Sequence, residues 1–201
     1  MSNVYFNGFI LTLGLIMAIG AQNAHVLRQG LRGEHVLLTV SVSALCDMLL
    51  IGLGIAGLGS LFVANPDLMS VARYGGAAFL LWYGGRSLLS ALRGGQRMAL
   101  AEHTRMSRGQ ALLAAAGFSL LNPHAYLDTV VLLGSIGSQQ AEDLRPIFAA
   151  GAITASIVWF VLLGYGARLL VPLFSRPAAW RVLDGLVALM LWGIAASLLL
   201  A

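Results

Sequence analysis

The sequence predicts an all-α membrane protein of six transmembrane helices, built as two inverted three-helix repeats with the first and fourth helices broken or bent. Three observations carry this prediction. The 201-residue chain is 59% hydrophobic and only 10% charged, whereas about a quarter of the residues in a soluble domain are charged. Its apolar residues fall into six runs of membrane-spanning length. The motifs of the first three runs recur in the last three, and a single transmembrane domain is expected over residues 1–201.

The spans follow from the lengths of the apolar runs, since a membrane helix needs roughly 20 mostly apolar residues. Runs of that length lie at residues 4–26, 37–63, 68–91, 110–138, 147–170 and 182–201. The fourth run is long enough to be bent or broken. The long polar connection 93–109 divides the chain into repeats at 4–92 and 110–201, and no soluble domain is expected.

The distribution of arginine predicts the orientation, because cytoplasmic connections of membrane proteins are enriched in basic residues. All twelve basic residues are Arg, and ten of them lie in or beside the first, third and fifth connections. Only Arg73 and Arg145 lie on the other side. The connection 93–109 is therefore predicted to be cytoplasmic and both termini periplasmic. A five-span alternative, with a re-entrant first helix, would move only the N-terminus.

The first run ends in "GAQNAH", which begins at Gly20 and carries the amide side chains of Gln22 and Asn23. No proline follows Asn23. The segment therefore indicates either a helix break at Gly20 or a polar helix end at the membrane interface.

The second run contains Asp47, which shares one helix face with Ser43 and so faces the helix bundle. An ionised group near the bilayer centre costs at least about 2.5–3.5 kcal/mol, and such residues are functional candidates by default. Asp47 and Asp128, the carboxylate of the fourth run, are the strongest candidates in this chain. Each can carry either a proton or a cationic substrate, because either partner removes the uncompensated charge. Structural ion pairs with Arg73 or Arg86 are the alternative.

The fourth run contains "SLLNPHAYLD", which predicts a helix restart at membrane depth. Asn122 is a favourable N-cap and Pro123 suits the first position of a helix. The unpaired N–H groups and the dipole of such a start favour a carboxylate ligand. They must face protein or a water-filled cavity. His124 and Asp128 then lie on one face of the restarted helix. A simple proline kink is the alternative.

The two halves of the chain match helix by helix. "QNAHVL" aligns with "LNPHAYL", "DMLLIGLG" with "WFVLLGYG", and "YGGAAFLLW" with "DGLVALMLW". Each unit holds three helices, an odd number, so the second copy is inverted in the membrane. Inverted repeats are characteristic of secondary transporters, whose site lies near the midplane where interrupted helices meet. Chance similarity among Leu- and Gly-rich helices is the alternative.

Other kinds of chemistry are poorly represented. Cys46 is the only cysteine, which excludes an internal disulfide and dithiol redox chemistry. Together with His25 and His124 it lacks the ligand spacing of a metal site, so neither metal nor cofactor is expected. The sequence contains no phosphate-binding loop and no nucleophile motif that would indicate an enzyme. The short basic connections lack aromatic residues, which argues against nucleic acid as a partner.

Four pairing and packing predictions concern structure rather than transport. Asp184 is expected to pair with Arg181 one helical turn away, and Arg73 with Asp67, at the membrane interfaces. "GIAGLG" and "YGG…WYGG" carry small residues that let helices approach closely. These surfaces suit contacts within one chain or in a homodimer.

Four blocks together resemble the bacterial LysE family of lysine/arginine exporters, and most nearly its arginine-exporter branch: "GAQNAHVLRQGLRG", "CDMLLIGLGIAG", "RYGGAAFLLWYGG" and "LLNPHAYLDTVVLLGS". The likeness runs through all six predicted helices. It implies export of basic L-amino acids from the cytoplasm, driven by the proton or electrochemical gradient, and a place in the bacterial inner membrane. The residues that match the family's motifs are Gln22, Asn23, Asp47, Asn122, Pro123 and Asp128.

The expected function is therefore export of arginine, and of lysine, coupled to proton influx. The substrate carboxylate would meet the helix start at Asn122–Pro123, and its cationic side chain would pair with Asp128 or Asp47. Moving a cation out against an inside-negative potential costs about 2.3 kcal/mol per charge per 100 mV, which inward protons must offset. Neutral amino acids or a metal cation are the alternative cargoes, and a non-transporting membrane scaffold is a further alternative.

Three residues depart from the family pattern. The family usually has Gly-Pro where this chain has Gly20 and Ala21, so the first helix lacks the proline that would break it. Position 25 is usually apolar and is His25 here. Asp184 adds a carboxylate where a neutral polar residue is expected.

Overall fold

The computed structural model describes residues 2–18, 20–58, 66–92, 106–122 and 125–200 of the chain. Within these ranges the regular secondary structure is entirely helical, which confirms the predicted all-α class. The predicted site residues Pro123 and His124 lie outside the described residues.

The helices in the described ranges are labelled in chain order. They are α1 Ser2–Ile16, α2 Ala21–Arg32, α3 Val36–Leu53, α4 Pro66–Leu92, α5 Arg108–Leu120, α6 Tyr126–Ser138, α7 Arg145–Gly166 and α8 Pro177–Leu200. Two of them continue in other helical forms: α3 in a wide π-type turn over Gly54–Leu58, and α7 in 3₁₀ turns over Ala167–Ser175.

Several helices have the length and composition of membrane spans. Three of them qualify alone among the described residues, at Val36–Gly57, Arg145–Phe174 and Pro177–Leu200. A fourth span results if α1 and α2, which meet at 82°, form one broken span. The α4 helix is 27 residues long, and Tyr126–Ser138 is a shorter apolar helix. The membrane class is therefore confirmed, and the count of six spans stays a prediction.

The burial pattern of α3 is the reverse of that of a soluble helix. Leu37 and Leu49 are 68% and 63% exposed, whereas Thr39, Ser43 and Asp47 are buried. The buried residues recur every four positions and so form one face. An apolar outer face and a polar inner face are what a helix needs when its solvent is hydrocarbon.

The break between α1 and α2 forms without proline. Gly20 has an extended backbone (φ −122°, ψ 177°) and precedes the first residue of α2. The Asn23 side-chain amide donates hydrogen bonds to the carbonyls of Ile16 (2.6 Å) and Ala18 (2.8 Å). Its carbonyl oxygen accepts a hydrogen bond from the indole N–H of Trp159 on α7 (3.1 Å). Asn23 thus pairs the carbonyls that the end of α1 leaves free, a task usually met by capping groups or water.

The fourth apolar run is also interrupted. α5 ends at Leu120, and the chain is helical again from Ala125, whose N–H donates to the Asn122 carbonyl (3.0 Å). The predicted break therefore lies where "LLNPHA" stands in the sequence.

Helix packing crosses between the two halves of the chain. α1 packs against α7 and α5 against α3, while α3 packs against α7 and α4 against α8. The α1–α7 contact is close: a Cβ atom built on Gly8 would lie 2.3 Å from the Phe148 carbonyl oxygen, and one on Gly151 would lie 2.0 Å from that of Tyr5. "GIAGLG" likewise packs within the chain, since Gly54 approaches the backbone of Val130 on α6.

Candidate functional site

A cavity of about 270 Å³ lies between the two helix breaks. Its walls come from both halves of the chain, with α1, α2 and α3 on one side, α6 on the other, and α8 closing it. Six predicted site residues line it: Gly20, Gln22, Asn23, Asp47, Asn122 and Asp128. The structure therefore brings together residues that are about one hundred positions apart in the sequence.

A larger but shallower groove of about 510 Å³ lies at the start of α3. Its lining is largely aliphatic, with Arg108 and His35 at its polar end. It contains none of the predicted site residues. The smaller cavity is the better candidate, because convergent polar groups rather than volume mark a ligand site.

Asp47 is held in the middle of α3 by neutral donors. Its carboxylate is 6% exposed and accepts hydrogen bonds from the Ser156 hydroxyl on α7 (2.9 Å) and the Gln22 side-chain amide (3.3 Å). The Gln22 amide also donates to the Ser119 hydroxyl on α5 (3.0 Å), which donates to the Ala115 carbonyl (2.9 Å). These bonds connect the carboxylate on α3 to three other helices, and among the described residues no cation takes part in them.

Asp128 has a different environment. It lies in the first turn of α6, on the exposed side of that helix, and lines the cavity. Within the described ranges, no hydrogen-bond or ion-pair partner of its carboxylate is present. One carboxylate of the cavity is therefore buried and bonded, and the other is available to a ligand.

The predicted alternative, in which Arg73 or Arg86 pairs with these carboxylates, is not what the structure shows. The Arg73 guanidinium donates to the backbone carbonyls of Leu198 and Leu199 at the end of α8. Arg86 lies over the ring of Trp82. The Arg73 guanidinium was also predicted to pair with Asp67, and it makes these contacts with the end of α8 instead.

Asn23 and Ser43, two further candidates for substrate binding or proton coupling, lie in different surroundings. Both ends of the Asn23 amide are occupied, by carbonyls of the α1 end and by Trp159, so Asn23 holds the break rather than offering a free group. Ser43 is fully buried one turn before Asp47 but does not line the cavity, and its hydroxyl has no hydrogen-bond partner among the described residues.

His25 is a buried aromatic-cluster residue rather than a cavity residue. Its Nδ1 lies 3.3 Å from the Tyr83 hydroxyl, and its ring centroid lies 5.0 Å from that of Phe118. Cys46 is also buried. In the described part of the chain, no group of three or more His, Cys, Asp or Glu side chains could hold a metal ion.

Asp184 is buried and has a partner on another helix that the sequence did not predict. It is 3% exposed and forms an ion pair with Arg28 of α2, with 3.0 Å between Nη2 and Oδ1.

Sequence reasoning also missed Ser119 and Ser156. A buried serine among small residues has no distinguishing sequence signal, so only the three-dimensional packing reveals these two donors.

Comparison with known proteins gives one family. The model of the LysE type translocator family matches residues 13–201. The chain is 41% identical over 198 residues to the "Arginine exporter protein ArgO" of Yersinia enterocolitica, covering 98% of this chain and 97% of that protein. It is 47% identical over 192 residues to the "Putative amino-acid transporter YggA" of Aeromonas salmonicida, covering 95% and 93%. No solved structure matches the chain.

Proposed function

Because the chain belongs to the family of LysE type translocators, we propose that it exports basic L-amino acids, arginine above all and lysine with it, in exchange for protons. The observation that carries the proposal is the cavity between two helix breaks that contains Asp47 and Asp128. Carboxylates are expensive in a membrane, and a cation is the ligand that compensates for them. The arginine exporter among the relatives supports the same cargo.

Asp128 is the group that would receive the cationic side chain of the substrate. Its carboxylate faces the cavity and has no partner in the described ranges, so binding a guanidinium costs no existing interaction. Arginine can form two parallel hydrogen bonds with a carboxylate, whereas lysine offers a single point charge. The expected preference is therefore for arginine over lysine.

The substrate α-carboxylate would meet a helix start at the other end of the cavity. The start after Asn122 is the predicted one, and the start of α2 at Gly20 also lines the cavity. Unpaired N–H groups and the helix dipole favour an anion at either start. The cavity thus offers complementary ends to a zwitterion that carries an additional positive charge.

Asp47 is the group that would carry the proton. It is buried with neutral donors only, so its charge is relieved either by a proton or by a cation entering the cavity. Export of a cation against an inside-negative potential costs about 2.3 kcal/mol per charge per 100 mV. Asp47 would take up a proton from the periplasm and release that proton to the cytoplasm, and this proton influx would supply the energy.

The helix packing supports the proposed inverted repeat. If α1–α4 correspond to α5–α8, the α1–α7 contact corresponds to α5–α3, and α2–α7 to α6–α3; both pairs are present. The close approaches agree: Gly30 of α2 meets Gly164 of α7, and Gly134 of α6 meets Gly54 at the end of α3. We place six spans in the inner membrane on this basis, with the arginine-rich connections cytoplasmic and both termini periplasmic. A homodimer stays a prediction.

Transport from loaded proteoliposomes tests the proposal. Asp128→Asn should abolish arginine efflux, because the amide cannot compensate a guanidinium. Asp143→Asn is the matched control, since Asp143 lies exposed in the turn between α6 and α7. Arginine efflux that survives in Asp128→Asn contradicts the assignment of this residue. Homoserine or a divalent metal transported in place of arginine contradicts the choice of cargo.

A further inference from the structure

A buried ion pair lies in the bundle among residues that do not line the central cavity. At its centre the Asp184 carboxylate of α8 pairs with the Arg28 guanidinium of α2 at 3.0 Å. The Ser87 hydroxyl on α4 accepts a hydrogen bond from the same guanidinium (3.2 Å), and the Ser90 hydroxyl donates to Asp184 (2.5 Å). The Asp184 carboxylate and the Ser87 hydroxyl therefore contact one guanidinium, and the Ser90 hydroxyl bonds to the carboxylate.

The guanidinium that fills this pocket has the chemistry of the proposed cargo. Arg28 reaches the pocket from α2, whereas every group that receives it belongs to α4 or α8. The pocket can therefore be described without Arg28, as an acidic receptor with Ser87 as a second acceptor. A free arginine side chain would find the same partners there.

The pairing with Arg28 is incomplete. The Nε of Arg28 is buried without a hydrogen-bond partner in the described ranges, as are Nε2 of His25 and Oε1 of Gln29 on the same helix. Arginine and a carboxylate can form two parallel hydrogen bonds, and buried polar groups without partners cost free energy. An arrangement in which Arg28 leaves the pocket and another cation enters it can therefore compete with the observed arrangement.

A polar face of α2 connects the pocket to the central cavity. Gln22 lines the cavity, and His25 and Arg28 follow at three-residue steps, each of which advances about 4.5 Å along the helix. Between the two sites the rings of Tyr83 and Phe118 pack at 4.7 Å between centroids. This aromatic layer closes the route in the present conformation.

We propose that Asp184, with Ser87, is a second binding site for the guanidinium or ammonium side chain of the cargo, occupied by Arg28 while the α2 end of the bundle is closed. The cargo displaces Arg28 when that end opens and then passes to the central cavity. The identity of the cargo and the cytoplasmic location of this end rest on the proposed function. The existence of a guanidinium pocket is independent of the proposed function.

Rescue by the guanidinium ion tests the pocket directly. Arg28→Gln empties it and removes the guanidinium that Asp184 pairs with, so guanidinium chloride at millimolar concentration should stabilise the purified variant. At ten times the Kd the expected rise in Tm is about 3–6 °C beyond that in equimolar NaCl. The Arg28→Gln/Asp184→Asn double variant is the matched control and should show no such rise. The absence of a rise in Arg28→Gln, or an equal rise in the control, would overturn the proposal.

The sidedness of transport tests the role of the pocket and uses only the charge-neutral double variant, which leaves no unpaired buried charge. In membrane vesicles of opposite orientation, its KM for arginine should rise about tenfold at the cytoplasmic face and stay unchanged at the periplasmic face. An equal loss on both faces would show a purely structural ion pair and overturn the proposal. A wild-type protein that transports no arginine would defeat the proposed function, but guanidinium rescue of Arg28→Gln would still establish the pocket.

Discussion

Replacing Asn23 by Ala should weaken the break between α1 and α2, because the Asn23 side-chain amide stabilises a break that lacks the usual proline. The variant loses two hydrogen bonds, to the Ile16 and Ala18 carbonyls, and leaves the indole N–H of Trp159 without its acceptor. Side-chain hydrogen bonds between membrane helices contribute about 0.6 kcal/mol each, and up to about 1.7 kcal/mol. Three such bonds give a loss of about 2–3 kcal/mol.

The assay is thermal unfolding of the purified protein in detergent. A loss of about 2–3 kcal/mol corresponds to a fall in Tm of about 4–12 °C for a chain of this size. Trp159→Phe removes only the third bond and is the matched control, with an expected fall of about 1–4 °C. If Asn23→Ala unfolds at the same temperature as wild type, the amide does not hold the break and the explanation of the missing proline is wrong.

Two further predictions concern the close contact between α1 and α7 and the Ser156 donor of Asp47. Gly8→Ala should destabilise the α1–α7 contact severely, since its Cβ would lie 2.3 Å from the Phe148 carbonyl oxygen. Gly14→Ala on the same helix meets nothing within 4 Å and should be neutral or stabilising. Equal Tm values for the two variants would refute this close approach. Ser156→Ala leaves the Asp47 carboxylate with Gln22 as its donor and should slow arginine efflux about tenfold or more, because a hydrogen bond to a charged group contributes about 1.5–3 kcal/mol. Unchanged efflux would remove Ser156 from the mechanism.

The cavity residues could be predicted because polar side chains are costly in hydrocarbon. Gln22, Asp47 and Asp128 stand out from apolar runs, and the predicted internal repeat led us to expect that the two interrupted segments meet. The same reasoning made Asn23 a candidate binding residue but did not predict its bonds to the end of α1, because those carbonyls become free only when the chain bends. Hydrogen-bond partners that are set by a bend cannot be derived from residue types.

The partner of Asp184 could not be predicted, because it is set by packing between helices that are distant in sequence. The sequence predicts Arg181, one turn away, as a partner, and helix packing brings the Arg28 side chain of α2 to the carboxylate. Nothing in the local pattern around Asp184 indicates the contact with Arg28.

The register of the predicted repeat is also ambiguous in sequence. The alignment of the two Gly-x-Gly motifs pairs Gly52 with Gly164 and Gly54 with Gly166. In the structure, Gly54 and Gly164 are the two that make close helix contacts, and the other two meet nothing within 4 Å. A motif with two glycines permits two registers, and only the contacts decide between them.

Arginine-driven proton movement is the measurement that tests the central claim most directly. Proteoliposomes loaded with arginine and a pH-sensitive dye, with equal pH on both sides, should acidify inside as arginine leaves and protons enter. Vesicles loaded with homoserine, or carrying the Asp128→Asn protein, should keep their internal pH. Arginine efflux without acidification, or acidification that homoserine drives equally well, would contradict proton-coupled export of a cation through this cavity.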